Sequence, residues 1–383
     1  MNAGRDIGRR TLDDLAHQFH KDPHTWHRAQ GLRWCNCMSA ESPGNSSSPR
    51  LRRTSRRADA RVALSVVGAA LDRDRPLIAN LIIMRRCNLS CGYCFEYDKV
   101  SPPVPLDELK TRIDHIARLG SVFITLTGGE SLLHPDADQL VAYAREKGLV
   151  PFLNTNGYLL TRAWIDKMNA AGLYGMQISI DNVKPNSVSA KSLKTLLPKL
   201  RLLAQHAQFR VRINCVLGSS PPQEAVEVAR AVIGLGFDMN TSLVRAEDGT
   251  LLPVTPEMRA AYETIRGMGK RAPAYLDDDY TRPLMEDGES EWKCRAGART
   301  FHVDEYGLVH LCAPRTGNPA KPIAAYTVED IRYYFNAPKP CASKCPVAYA
   351  RHASRLDGWR GQGEEPMQMT EGAPLVQITK KAA

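Results

Sequence analysis

The chain has 383 residues, 43% hydrophobic and 24% charged, an ordinary globular mixture long enough for about two to three domains. Aromatic residues make up only 7%, which argues against a base-stacking nucleic-acid binder. Of the +10 formal net charge, much sits at the start, where residues 1–61 hold 12 Lys/Arg against 6 Asp/Glu, so no nucleic-acid partner is expected.

Residues 1–59 read as a basic tail. Ser39-Ala-Glu-Ser-Pro-Gly-Asn-Ser-Ser-Ser-Pro is loop composition, and Arg50-Leu-Arg-Arg-Thr-Ser-Arg-Arg is a solvated run. Arg9-Arg10 is followed by polar residues, so it lacks the apolar region of an export signal. No window approaches the roughly 20 apolar residues of a membrane span, and no transmembrane segment is expected. The expected compartment is the cytoplasm. Thiols stay reduced there, so the 10 cysteines need a reason other than disulfides. Cys35 and Cys37 lack two further ligands nearby and read as incidental.

From Ala60 the pattern is regular. Ala60–Leu71 is a helix candidate, and Ala79–Met84 is an apolar run with the length of a buried strand. Next comes Cys87-Asn-Leu-Ser-Cys91-Gly-Tyr-Cys94, three thiols on one short loop. Such spacing lets them face one centre, and thiolates are the usual ligands of iron–sulfur clusters. Three thiolates on a 4Fe–4S cube leave one iron open; structural zinc is the other reading. Leu106, Leu109, Ile113, Ile116 and Leu119 then form a helical stripe closed by Gly120, and Ser121–Leu126 reads as a strand. Four more helix–strand alternations follow. They comprise Pro135–Lys147 with Val150–Leu153, a helix capped by Thr161 with Gly175–Ile180, Ser192–His206 with Arg210–Val216, and a helix opened by Ser220-Pro221 with Asn240–Val244. Six alternations imply a parallel sheet with right-handed crossovers, as an open sheet or a partly closed barrel, with a ligand site at the carboxyl ends of the strands.

Polar groups gather at those ends. Thr127-Gly128-Gly129-Glu130 follows the second strand, and its glycines would let the backbone approach a ligand, though the same tripeptide occurs in ordinary turns. Asn154-Thr155-Asn156-Gly157 follows the third strand, Ser179-Ile180-Asp181 ends the fourth, and Arg212, Asn214 and Cys215 lie on the fifth. They suit a ligand with amino-acid and ribose groups; they equally suit loop capping.

Taken together, Cys-x3-Cys-x-Tyr-Cys after the first strand and Gly-Gly-Glu after the second resemble the radical S-adenosylmethionine superfamily, over about Ala79–Arg245. The resemblance implies a partial (β/α)6 barrel. It implies a 4Fe–4S cluster on Cys87, Cys91 and Cys94, whose fourth iron is chelated by the amino and carboxylate groups of S-adenosylmethionine. Gly128, Gly129 and Glu130 would approach the methionine amino group. Asn156, Ser179, Asp181 and Asn214 are the candidates for carboxylate and ribose contacts. One-electron cleavage of the sulfonium would release a 5′-deoxyadenosyl radical that takes hydrogen from substrate, with a flavodoxin or ferredoxin as electron donor.

A second cysteine group comprises Cys294, Cys312, Cys341 and Cys345. Phe301–Val303 and Leu308–Leu311 flank Asp304-Glu-Tyr-Gly307 as a hairpin would, and Val328–Phe335 is helix-like. The arrangement resembles the SPASM and twitch extensions of the same superfamily. Arg332 and Phe335 stand where the full SPASM pattern has cysteines, which implies one auxiliary 4Fe–4S cluster of twitch type held by four thiolates; structural zinc is the alternative. A saturated cluster can still take an electron from a substrate radical. In sulfatase maturases an aspartate base follows the second auxiliary cysteine; Ala313 stands there here, which disfavours that activity. Asp304, Glu305, His302 and His310 are other possible bases, with Asp304–Gly307 reading first as a turn.

The expected fold is thus α/β, a partial (β/α)6 barrel over 60–245 with a small C-terminal cysteine-rich auxiliary-cluster domain over 294–359. Residues 246–293 connect them, and 360–383 form a tail. The expected function is hydrogen abstraction followed by oxidation or coupling. A small metabolite such as a sugar, cofactor precursor or isoprenoid is slightly preferred as substrate, because residues 1–59 lack the alternating strands of a winged-helix peptide-recognition domain. A maturase of a ribosomally made peptide is the alternative, and a non-catalytic iron–sulfur electron carrier is a third. No catalytic side chain stands out. Cys215 reads as core and Asp277-Asp-Asp279 as an exposed turn.

Overall fold

A computed structural model of the chain describes residues 56–268 and 280–360, all within one compact unit. Cys35, Cys37, the Asp277–Asp279 stretch and the tail after Arg360 lie outside the described residues. The elements in chain order are α1 (Arg56–Leu71), β1 (Ile78–Met84), α2 (Leu106–Arg118), β2 (Phe123–Gly128), α3 (Ala137–Glu146), β3 (Val150–Thr155), α4 (Arg162–Ala171), β4 (Gly175–Ser179), α5 (Leu193–His206), β5 (Arg210–Leu217), α6 (Pro222–Gly234) and β6 (Asp238–Leu243). There follow α7 (Pro256–Met268), α8 (Thr281–Glu286), β7 (Thr300–Val303), β8 (Leu308–His310), β9 (Pro319–Pro322), α9 (Val328–Asn336) and α10 (Ala348–Arg355).

These strands form one sheet in the order β6-β5-β4-β3-β2-β1-β7-β8-β9. The first six, and β7 beside β1, pair in parallel, while β8 and β9 run antiparallel. A doubly wound sheet reverses its strand order at a switch point. Here β1 to β6 follow one another without reversal, so successive right-handed crossovers keep their helices on one face. That is the winding of a barrel, left open because β6 and β9 end the sheet instead of meeting.

Local sequence explains most boundaries. From Ala79 to Met84, β1 is buried on both faces, as a covered parallel strand must be. Leu109, Ile113 and Ile116 bury the stripe of α2. Thr161 Oγ1 accepts from Trp164 N–H at 3.2 Å to start α4, and Gly172 ends it in the left-handed region at φ 75°. Most boundaries shift by one or two residues, and two differences have a specific cause. Helix α1 begins four residues early, at Arg56, and Asp59 in its first turn ties it to the core by accepting from Tyr174 Oη (3.1 Å) and Arg210 Nη2 (3.0 Å). Helix α6 begins at Pro222 without a side-chain cap, because Ser220 Oγ donates instead to the Asp181 carbonyl at 2.6 Å.

The predicted hairpin forms as β7 and β8, but β7 lies beside β1, with Ile78 opposite Thr300. It thereby continues the core sheet. Arg299, wholly buried just before β7, is paired in two-pronged fashion with Asp357 (Nε–Oδ2 2.7 Å, Nη2–Oδ1 2.7 Å). Its remaining nitrogen, Nη1, donates to the carbonyls of Ala69, Asp72 and Arg75. A buried ion pair is tolerable only when its donors are spent in this way. The guanidinium ties the end of α1 and the chain after α10 to the sheet.

Candidate functional site

The first cysteine group sits where β1 leaves the sheet. Residues 87–97 form a loop closed at its neck, where Cys87 N donates to the Asp98 carbonyl (3.0 Å) and Asp98 N to the Arg85 carbonyl (3.1 Å). Lys99 Nζ folds back onto the carbonyls of Cys87 (3.1 Å) and Leu89 (2.7 Å). Cys87, Cys91 and Cys94 are free thiols. Burial pushes the Cys87 and Cys94 thiols up, which disfavours bare thiolates. A metal centre supplies the positive charge such donors need, so the donor set fits one.

The glycines after β2 turn out to serve this loop. A Cβ at Gly128, which has φ 131°, would lie 2.1 Å from the Met84 carbonyl oxygen, and one at Gly129 would lie 2.2 Å from that of Arg85. Their bareness lets the backbone leaving β2 cross the base of the cysteine loop, where Gly129 N donates to Met84 O at 2.7 Å. Glu130 is fully buried, and burial raises its pKa. Its carboxylate accepts from Leu132 N (3.0 Å), Thr155 Oγ1 (2.5 Å) and Asn156 N (2.7 Å). Three of about four acceptor sites are thus filled by protein donors, which makes Glu130 first a clamp between the exits of β2 and β3.

Asn156 reaches the cysteines directly. Its Nδ2 donates to Asn88 Oδ1 at 2.7 Å and lies 3.7 Å from Cys87 Sγ. Asp181 is fully buried under the loop and accepts from Tyr93 Oη (2.6 Å), Ser189 Oγ (2.7 Å) and Val216 N (3.2 Å). Ser189 Oγ is also 3.8 Å from Cys91 Sγ. Ser179 and Asn214 sit opposite one another on β4 and β5. Asn214 Oδ1 accepts from Asn240 Nδ2 (2.9 Å) and Ser242 Oγ (2.8 Å) on β6. Asn156 and Asp181 therefore meet the cysteine loop, while Ser179 and Asn214 line the neighbouring strands.

Sequence reasoning passed over Ser189 and Lys191, both on the connection from β4 to α5. Lys191 Nζ donates to Tyr93 Oη at 2.7 Å and stands 5.0 Å from the centre of that ring. Burial opposes its charge, but Tyr93 and Asp181 outweigh burial and hold the ammonium well above the ordinary lysine range. No local motif marks these residues; only the fold brings them under Tyr93.

The second cysteine group gathers around one cavity. Cys294, Cys312, Cys341 and Cys345 line it together with Leu311, Arg315 and Lys339, and its volume is about 290 Å³. Burial pushes up the Cys294 and Cys312 thiols and takes Cys345 to about 11. Among the described residues, in this group as in the first, no three His, Cys, Asp or Glu side chains converge as ligands of one metal ion would. Four thiolates around zinc would close to about 2.3 Å, and a cavity of this size also has room for a polynuclear cluster. Between the two groups, Glu96, two residues past Cys94, pairs with Arg245 beyond β6 at 3.2 Å.

Of the other candidate bases, Asp304, His310 and Glu305 are engaged. Asp304 Oδ1 accepts from Tyr306 N (3.0 Å) and Leu308 N (2.8 Å), and its Oδ2 meets His310 Nε2 at 2.8 Å. Gly317 N donates to His310 Nδ1 at 2.9 Å. Burial lowers the pKa of His302, and Glu305 pairs with Arg85 at 3.5 Å. Ala313, after the second cysteine of this group, donates its N–H to Tyr349 Oη at 2.9 Å.

Comparison with known proteins agrees with this geometry. Residues 81–241 match the model of the Radical SAM superfamily. The chain is 34% identical over 288 residues to the PqqA peptide cyclase of Xanthomonas axonopodis pv. citri, covering 67% of this chain and 71% of that one. It is 32% identical over 176 residues to the Fe-coproporphyrin III synthase of Methanosarcina barkeri, covering 45% of this chain and 39% of the relative, so the match spans well under half of that protein. The crystal structure of Streptococcus suis SuiB bound to precursor peptide SuiA shares the fold at a TM-score of 0.52 and 13% identity, over 77% of this chain and 73% of that one. The chain belongs to the radical S-adenosylmethionine superfamily, whose members bind a 4Fe–4S cluster and S-adenosylmethionine.

Proposed function

We propose that this chain is a two-cluster radical enzyme that removes hydrogen from its substrate and then oxidises or couples it. The observation that carries this reading is the cavity ringed by Cys294, Cys312, Cys341 and Cys345, in a chain whose first cysteine loop offers only three thiols. Cys87, Cys91 and Cys94 hold the cluster that keeps an iron for S-adenosylmethionine. The four downstream cysteines hold a saturated auxiliary cluster suited to accepting an electron from the substrate. When bound, the first cluster and S-adenosylmethionine supply a 5′-deoxyadenosyl radical. The chain's own residues position that pair: Gly128 and Gly129 seat the loop, Glu130 and Asp181 brace it, and Asn156, Ser179 and Asn214 offer polar contacts. A reduced flavodoxin or ferredoxin is the proposed donor, and the reducing cytoplasm the proposed compartment.

A peptide substrate is favoured by one observation. The match to PqqA peptide cyclase spans 71% of that protein, while the match to Fe-coproporphyrin III synthase spans 39%. The preference for a small metabolite rested on residues 1–59, and the tail sequence that carried it lies outside the described residues. Anaerobic reconstitution with iron, sulfide, dithionite and S-adenosylmethionine tests the function. About eight iron per chain, as for two 4Fe–4S clusters, and release of 5′-deoxyadenosine are expected. About four iron would remove the auxiliary cluster, and full iron without 5′-deoxyadenosine would leave only an electron carrier.

A further inference from the structure

Three thiolates bring more negative charge to a cubane than its core offsets, and reduction adds one more. Hydrogen bonds and fixed charges nearby therefore set how readily such a cluster takes an electron. Around Cys87, Cys91 and Cys94 the structure seats two cations: Lys99, whose Nζ donates to the loop carbonyls of Cys87 and Leu89, and Lys191, held on a side chain of the loop. Lys191 lies against Tyr93, the aromatic residue between Cys91 and Cys94, with Nζ 2.7 Å from its hydroxyl and 5.0 Å from the ring centre. The seat is built from both sides. Tyr93 Oη donates onward to Asp181 at 2.6 Å, Ser189 Oγ donates to the same carboxylate oxygen at 2.7 Å, and Lys191 N donates to Ser189 Oγ at 3.2 Å.

We propose that Lys191 is a counter-charge of the first cysteine loop: seated on Tyr93, it stabilises the reduced state of an iron–sulfur cluster held by Cys87, Cys91 and Cys94 and so eases electron entry. The proposal rests on that ligand assignment. Asp181, which accepts from Tyr93, Ser189 and the Val216 amide, carries the opposite charge and reduces the effect; replacing Lys191 removes the cation and leaves that charge in place. Lys191 is thus a positioning residue for charge, acting through its field and through Tyr93.

The test is a redox titration, followed by electron paramagnetic resonance, of the reconstituted full chain without S-adenosylmethionine, with iron counted on the same samples. Lys191→Met should retain its iron, yet hold about tenfold fewer reduced clusters at a fixed potential, a downward shift of about 59 mV for a one-electron couple. Lys191→Arg should restore the wild-type midpoint, which a purely structural role for the side chain would not demand. Should Lys191→Met fail to load iron, Lys191→Gln gives the same comparison with a polar side chain. A neutral variant with full iron and an unmoved or raised midpoint overturns the proposal. Failure of the ligand assignment shows separately: Cys87→Ala/Cys91→Ala/Cys94→Ala would then keep the parent's full iron and both titrating signals, where loss of one signal and half the iron is expected.

Discussion

The two cysteine centres are built on opposite principles. The first stands on a loop at the carboxyl edge of the sheet, with polar groups from three strand exits beneath it. The second is held by residues spread from Cys294 to Cys345 around a cavity walled largely by apolar side chains, including Ala296, Leu311, Ala342 and Ala350. Polar surroundings and a missing fourth thiol suit a centre that must admit a ligand and tune its charge. Apolar surroundings and a full set of thiols suit one that exchanges electrons alone. Breaking each set should therefore fail in different ways, and this is the largest contrast expected. Cys87→Ala/Cys91→Ala/Cys94→Ala should abolish 5′-deoxyadenosine release and halve the iron. Cys312→Ala/Cys345→Ala should also halve the iron yet still release 5′-deoxyadenosine. If the second variant stopped that release too, the division of labour would be wrong.

Stability should separate the regions as well. The second centre shares its framework with the Arg299–Asp357 pair, wholly enclosed at 2.7 Å. Asp357→Asn leaves a buried guanidinium without its counter-charge, at a cost of about 3–5 kcal/mol, whereas replacing both partners with apolar residues of similar volume should recover most of it. Denaturant midpoints of the single and double variants check this. A single variant as stable as the parent would mean that water reaches Arg299.

Much of the fold was legible because local chemistry agreed with it. The stripe of α2, the Thr161 cap and Gly172 stop of α4, and the alternation from β1 to β6 are each encoded within a few residues. The open barrel followed once the strand order was seen to run without reversal. What the sequence hid was long-range. That β7 lies beside β1 joins segments more than 200 residues apart and leaves no local pattern. The same holds for the site. The cysteines and Gly128-Gly129 announce themselves by spacing, but a second reason for the glycines, the close approach they permit to the backbone of Met84 and Arg85, leaves no sequence signal. Lys191 and Ser189 could not be picked out, because a lysine and a serine between a strand and a helix usually face solvent.

The smallest expected effect tests whether the two centres are as separate as their surroundings suggest. Asn156 Nδ2 holds Asn88 Oδ1 at 2.7 Å and faces Cys87 Sγ at 3.7 Å, while the Asn156 backbone N–H separately serves Glu130. Asn156→Ala keeps the backbone bond and removes only the side chain. Two neutral hydrogen bonds are lost, to Asn88 Oδ1 and from Tyr158 N to Asn156 Oδ1, each costing about 0.5–1.5 kcal/mol, with the lower end for the first because Asn88 is exposed and can turn to water. Hydrogen bonds to cluster sulfurs raise the reduction potential, so the first centre's midpoint should fall slightly, by less than on loss of the Lys191 charge. The second centre's midpoint should not move, since no hydrogen bond of Asn156 leads toward its cavity. An equal shift in both would mean that the centres sense one another through the Glu96–Arg245 pair between them, and Arg245→Met should then uncouple them.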